Sequence, residues 1–214
     1  SVLYTKGHIV KKMEVISPLL QADGVINIAK LKTHTFMHMT GAVKNSFGVI
    51  PGRFKPGYHA RMPDRTMFAT MLLDLSSFVA PRLNIMDAIV CMEGDGPHAG
   101  TPRKVRLLLA SQNPLALDVA AGMIIGLPWT DNPVLAAAKE CGLMPWSPEQ
   151  ISLTGMNKEE LPVPGFRLPA TVRGKHSSNL TLLISPLLRL LFITRPRITC
   201  SKCTGCGVCL KACP

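Results

Sequence analysis

Apolar positions fall into short unbroken runs separated by stretches with helical spacing. "DGVINIA" (Asp23–Ala29), "LNIMDAIV" (Leu83–Val90) and "VRLLLA" (Val105–Ala110) read as strands, and their near-continuous apolar character is that of strands covered on both faces. Between them, "PDRTMFATMLLDLSSFVAP" has apolar spacing that fits a helix closed before Pro81. "NPLALDVAAGMIIG" begins with Asn113 as N-cap and Pro114 at the first helical position, and it stops at Gly126. "NPVLAAAKECG" repeats the device with Asn132, Pro133 and Gly142, and "ISLTG" (Ile151–Gly155) reads as a last strand. This alternation predicts an α/β domain over residues 1–160 with a three-layer, mostly parallel sheet.

The pattern changes after residue 160. "LPVPGFRLPATVRGKHSS" (Leu161–Ser178) is Pro-rich and basic, so residues 161–198 read as a linker followed by a docking helix. The helix candidate "LTLLISPLLRLLFI" (Leu180–Ile193) contains Pro186 and Arg189 and is shorter than the roughly 20 apolar residues a bilayer span needs. No transmembrane segment is therefore expected. The opening residues lack a basic start followed by an apolar core, so a cytoplasmic location is expected.

Polar chemistry concentrates behind the first strand. "AKLKTHTFMHMTGAVKNSFGVIPGRFKPGYHAR" carries Lys30, Lys32, His34, His38, Lys44, Asn45, Arg53, Lys55, His59 and Arg61. Ligands in open α/β sheets gather at the carboxyl ends of strands, which is where this segment leaves. A short helix starting at Gly41 would present free N–H groups beside Lys44, an anion cradle. Lys32, His34, Gly41, Lys44, Asn45 and His59 are the candidate cofactor-binding residues. The candidate catalytic set is His34, Lys44, Glu93 and Asp118. Glu93 follows a strand end, and Asp118 is a carboxylate in an otherwise apolar helix that needs partners if buried. His34 and His38 stand four apart, a metal-ligand spacing only if that piece is helical. Lys30 and Lys32 alternate and also suit the solvent side of a strand. Neither a Walker A loop nor a G-x-G-x-x-G is present, and Cys91 and Cys141 read as small buried residues.

Lys and Arg outnumber Asp and Glu by 24 to 13, a formal charge of +11. Such a surface favours a small anionic ligand or an acidic redox partner. Aromatic residues make up 5%, too little for base stacking, so nucleic acid is not an expected partner.

The C-terminus, "TCSKCTGCGVCLKACP", holds five of the seven cysteines. Cys203, Cys206, Cys209 and Cys213 follow C-x2-C-x2-C-x3-C, with Pro214 next, and Cys200 stands as a possible substitute ligand. Gly205 and Gly207 allow the tight loop that brings thiolates together. Soft ligands at this density suit a 4Fe–4S cluster, and the spacing with its trailing proline is the bacterial ferredoxin run. Zinc sites use two knuckles separated by a longer loop, and disulfide frameworks suit small secreted domains. In two-cluster ferredoxins the fourth Cys serves the other cluster. Residues 199–214 are thus expected to be the start of a ferredoxin-like 4Fe–4S module, with two clusters in an intact, longer parent protein.

"DGVINIAKLKTHTFMHMTGAVKNSFGVIPG", "MDAIVCMEGDGPHAGTPRK", "NPLALDVAAGMIIG" and the cysteine run together resemble the iron–sulfur proteins of the domain of unknown function 362 family. The resemblance implies an α/β domain fused to a two-cluster ferredoxin module, found mostly in anaerobic prokaryotes, with further chain before the first strand and after Pro214. A local likeness to the nickel-pincer lactate racemase family rests on the order of His34, the glycine-bearing loop, Lys44 and His59, and implies a phosphorylated cofactor with nickel. The expected function is an iron–sulfur cluster-binding protein, acting in electron transfer or as an oxidoreductase subunit on an anionic ligand. Two alternatives stand beside it. One is a non-redox, racemase-like or transferase-like enzyme with an appended ferredoxin. The other is a binding module that docks an acidic partner and keeps a structural cluster.

Overall fold

The computed structural model describes residues 1–173 and 203–207. The chain divides into two units, residues 1–173 and 174–214. The first opens with a two-stranded ribbon, β1 (Val2–Leu3) and β2 (Lys12–Met13), followed by α1 (Ser17–Gln21). The body is a four-stranded sheet of order β4-β3-β5-β6, built from β3 (Ile26–His34), β4 (His38–Thr40), β5 (Leu83–Asp95) and β6 (Ala99–Ser111). Helices α2 (Ala42–Asn45), α3 (Lys55–Arg61) and α4 (Arg65–Val79) lie between β4 and β5, while α5 (Pro114–Ile125), α6 (Pro133–Glu140) and α7 (Ala170–Arg173) follow β6.

The helix signals in the sequence operate as read. Asp64 accepts from the N–H groups of Thr66 and Met67 to start α4. Asn113 does the same for Leu115 and Ala116 at α5, and Asn132 for Val134 and Leu135 at α6. Gly126 ends α5 in the left-handed region at φ 68°.

The sheet departs from expectation in two ways. Among the described residues only β3 and β5 run parallel; β3–β4 and β5–β6 are antiparallel. The cause is connection length. "GDGPHAG" closes a hairpin from Asp95 to Ala99, and a link this short cannot make the crossover a parallel pair requires. Around Arg106, at φ 66°, the register shifts in a bulge between Ala88 and Val90. The segment Ile151–Gly155 does not pair as a strand.

The second departure concerns the layers. Asn27, Ala29, Leu31 and Thr33 of β3 and Asn84, Met86 and Ala88 of β5 are buried, while the alternate residues are not. Ile26, Ile28 and Leu108, on that other face, are 61%, 66% and 66% exposed. Among the described residues the helices therefore cover one side of the sheet, which makes two layers rather than three. The core between them holds Leu31, Met86, Phe68, Leu72, Ile124 and Leu135, all fully buried. Each such side chain contributes about 1.5–3 kcal/mol by leaving water.

Polar anchors fix the remaining pieces of the first unit. Buried Asp74 of α4 accepts from the N–H groups of His8 (2.6 Å), Ile9 (2.9 Å) and Val10 (3.0 Å), which ties the N-terminal ribbon down. Residues 161–173, expected to open a linker, belong to this unit, and Leu161 and Pro169 are buried in it. Among the described residues no helix is long and apolar enough to cross a membrane. The docking-helix candidate Leu180–Ile193 lies outside the described residues.

Candidate functional site

Strand β3 delivers Lys30, Lys32 and His34 to its partly exposed face. The chain then turns through Thr35–Met37 into β4, with Lys32 opposite Thr40 and His34 opposite His38. The two histidines are thus a cross-strand pair in a hairpin, not neighbours on a helix.

His34 is fixed by its own turn. Its Nδ1 accepts from the backbone N–H of Phe36 (3.1 Å) and of Met37 (3.2 Å). An Nδ1 lone pair engaged in this way places the ring proton on Nε2. Burial, then the charges of Lys44, His59, His98 and His38, push the imidazole down to about 4. At neutral pH His34 is an uncharged ring that offers an N–H donor. Ligating a metal through Nε2 would require the proton to move to Nδ1, against two N–H donors. His34 as held here offers a hydrogen-bond donor at Nε2.

His38 is buried, with φ at 61°, and its Nδ1 meets the Asp131 carbonyl at 2.5 Å. Burial holds its pKa down, the Asp131 carbonyl opposes this, and Arg65 adds to the lowering.

Lys44 sits on the single turn of α2, and three side chains hold that turn in place. Asp118 of α5, itself buried, accepts from the N–H of Ala42 (2.5 Å) and of Val43 (3.2 Å). A Cβ at Gly41 would lie 2.1 Å from Asp118 Oδ1, so this contact requires glycine. Burial pushes the Asp118 carboxyl up to about 7, with the two N–H groups pulling the other way. From the opposite side, Asn45 donates to Asn27 Oδ1 (2.7 Å) and to the Ile28 carbonyl (3.0 Å). Asn27 in turn donates to the Ala42 carbonyl and to Asn84 Oδ1, and Asn84 donates to the carbonyls of Ser111 and Gln112. A chain of asparagine amides thus runs from α2 across β3 and β5 to the end of β6.

The Lys44 ammonium makes no hydrogen bond or ion pair among the described residues. Burial, then Lys55 and Lys32, lower its pKa to about 8. Among the described residues the charges that act on it are those of the cations Lys55 and Lys32. His59 of α3 completes the surroundings. Its ring stacks on Phe68 with centroids 4.5 Å apart and meets Phe36 and Phe47 edge-on. Burial and Lys44 lower the His59 pKa. Lys55 reaches over the Phe47 ring at 5.6 Å. The result is a group of cations, Lys32, Lys44 and Lys55, with neutral imidazoles and an aromatic base beside them.

The remaining candidates are engaged elsewhere. Glu93 is buried and accepts from the Arg167 backbone N–H (3.1 Å) and Nε (2.9 Å). Burial raises its pKa, but Arg167 and Arg103 outweigh burial and hold it below the usual range. Glu93 thereby fastens the returning segment, which also donates from Ala170 N–H to Asp95 and from Thr171 to the Thr35 carbonyl. Asp118 and Asn45 position α2, and neither is placed as a group that meets a ligand. His98, in the β5–β6 turn, joins the site through its effect on His34. The sequence reading passed over it, along with Asn27 and Asn84.

The family model for the domain of unknown function 362 matches residues 1–122, more than half of the chain. The chain belongs to that family. Over 151 residues it is 39% identical to a thylakoid-associated protein of Synechocystis sp.. That match covers 70% of this chain and 47% of the relative, so the chain spans about half the length of the curated relative it matches. No solved structure matches. The domain 362 match takes in β1 to β6 and most of α5, and so Gly41, Lys44 and Asp118 together.

Of the cysteine run, Cys203 and Cys206 are described and exposed; Cys200, Cys209 and Cys213 lie outside the described residues. Gly205 and Gly207 both take φ 70°, in the left-handed region that glycine tolerates. Among the described residues no group of three or more His, Cys, Asp or Glu is placed to hold a metal ion.

Proposed function

We propose that this domain 362 protein binds a small anion at the cationic cluster around Lys44 and carries an iron–sulfur cluster in its C-terminal cysteine run, as an electron-transfer protein or redox-enzyme subunit. One observation carries the reading: a partly buried lysine that, among the described residues, has no hydrogen-bond or ion-pair partner and whose charged neighbours there are Lys55 and Lys32. Clustered cations lower one another's charge and destabilise the ligand-free fold, and an anion offsets that cost. His34 adds a neutral donor from Nε2, which orients the ligand without adding repulsion. Asp118 and the asparagine chain hold α2 so that Lys44 faces the site at fixed geometry.

A cluster bound by Cys203, Cys206, Cys209 and further thiolates would supply single-electron transfer. The chain's own contribution to it is the glycine-assisted loop and the thiol set. Calorimetric titration with inorganic phosphate tests the anion site. Binding to the wild type and at least tenfold weaker binding to Lys44→Ala is the expected result, since a charge-assisted hydrogen bond is worth ~1.5–3 kcal/mol. Iron and sulfide analysis of anaerobically prepared protein tests the other half, and a colourless, iron-free product refutes it.

A further inference from the structure

Among the described residues β6 forms one edge of the sheet, pairing with β5 alone, and the two halves of its free edge differ. In an antiparallel pair alternate residues turn their N–H and C=O groups away from the partner, so an edge strand presents a row of them. The first half of β6 is defended. Pro102 has no N–H to offer, Arg103 and Lys104 are charged, and Arg106, at φ 66°, lies where a bulge breaks the ladder. The second half, Leu107–Ser111, has none of these devices. Among the described residues no backbone hydrogen bond reaches Leu107–Ala110 from the side away from β5.

A cavity of about 410 Å³ lies beside this undefended half. Leu107–Ser111 border it along β6, Ala116 and Ala120 from α5, and Ile151–Met156 from the segment that reads as a strand in the sequence but finds no partner. Its size is within the roughly 300–1,000 Å³ of ligand sites, and its walls are mainly apolar. An open strand edge and an unpaired segment thus face one cavity, a slot that one more strand can enter.

We propose that this slot receives an extended, acidic segment of a partner protein, which adds to β6 as a further strand. Main-chain hydrogen bonds to Leu107–Ala110 supply affinity, and apolar side chains at alternate positions of the segment enter the cavity. The acidic character follows from charge. Lys104 and Arg106 are exposed just beyond the slot along β6 and make no ion pair among the described residues, and the chain carries +11. A segment running antiparallel to β6 meets the apolar stretch first and these cations next, so its carboxylates belong at its C-terminal end. A second copy of this chain suits the edge less, because it brings the same cations and the same net charge.

The test uses the full chain and a labelled peptide, Val-Thr-Val-Thr-Val-Glu-Glu-Glu, with fluorescence anisotropy for binding and hydrogen exchange for its place. Binding should slow exchange at amides within Leu107–Ala110. A peptide N-methylated throughout its Val and Thr residues should bind roughly tenfold more weakly or worse, since it cannot form the ladder. The unmodified peptide should lose a similar factor on the Lys104→Glu, Arg106→Glu double variant, whose changes lie on the exposed surface. No binding, unchanged exchange at Leu107–Ala110, or equal binding of the N-methylated peptide overturns strand addition. Undiminished binding to the charge-reversed variant overturns the acidic partner. A peptide-free dimer in light scattering that the peptide disperses assigns the edge to a second copy and overturns the proposal.

Discussion

Substituting Gly41 by alanine tests the geometry that positions Lys44. The backbone at Gly41 has φ −130° and ψ −160°, which any residue adopts, so alanine brings no conformational strain of its own. The effect is steric. The new Cβ would lie 2.1 Å from Asp118 Oδ1 and 2.6 Å from Cγ, deep inside van der Waals contact, so the carboxylate must withdraw from α2. Withdrawal breaks its bonds to the Ala42 and Val43 N–H groups. At pH 8, where the carboxyl is mostly ionised, each charge-assisted bond is worth ~1.5–3 kcal/mol, and partial relaxation returns some of it, so Gly41→Ala should cost about 2–4 kcal/mol. Asp118→Ala should cost a similar amount by leaving the same two donors unpaired. The double variant provides the decision. With the carboxylate gone, the alanine methyl has room, so the second substitution adds little and the coupling should be about 1–3 kcal/mol. Urea denaturation of the four proteins measures it. A Gly41→Ala protein as stable as the parent, or two costs that simply add, would refute the account of how α2 is held.

Three further expectations follow the same logic. Phosphate affinity should weaken as pH rises from 7 to 9, because the ammonium of Lys44 is lost through about 8; calorimetry at three pH values checks this, and flat affinity places the ligand elsewhere. Arg167→Ala should destabilise by about 2 kcal/mol at pH 7, Arg167 being half exposed and Glu93 buried. The depressed Glu93 pKa gives stability that is present above its unfolded pKa and is lost as pH falls through the folded value, so the variant's deficit should shrink in acid, as read by thermal melts. Asp74→Ala should speed hydrogen exchange at the His8, Ile9 and Val10 amides more than elsewhere, since it removes their common acceptor.

Local signals were legible where one residue decides the outcome. Asp64, Asn113 and Asn132 each start a helix because a short acceptor side chain reaches two free N–H groups, and Gly126 ends one because it accepts a positive φ. Direction was less legible. An apolar run looks alike in a parallel and an antiparallel strand, and the discriminating signal was the brevity of "GDGPHAG" between the second and third runs. Ile26, Ile28 and Leu108 read as doubly covered, yet they face outward among the described residues, since hydrophobicity does not record what lies opposite. In the site, Lys32, His34, Lys44 and His59 come together because they leave one strand end within a short stretch of chain. Asp118 and Glu93 did not declare their roles, because their partners, Ala42 and Arg167, are more than 70 residues away in sequence.

The amide pair between Asn27 and Asn84 has a further consequence for how the sheet finds its alignment. Sliding β3 by two residues against β5 keeps every side chain on its proper side, so burial alone barely distinguishes the slipped from the true pairing. The slip would set Asn27 against Met86 instead of Asn84 and strand two amides in an apolar layer, at ~1–3 kcal/mol each. The asparagines thus work as a key cut for one alignment. Because the same key reaches Asn45, strands that mate out of step would also disturb one of the anchors of the turn bearing Lys44.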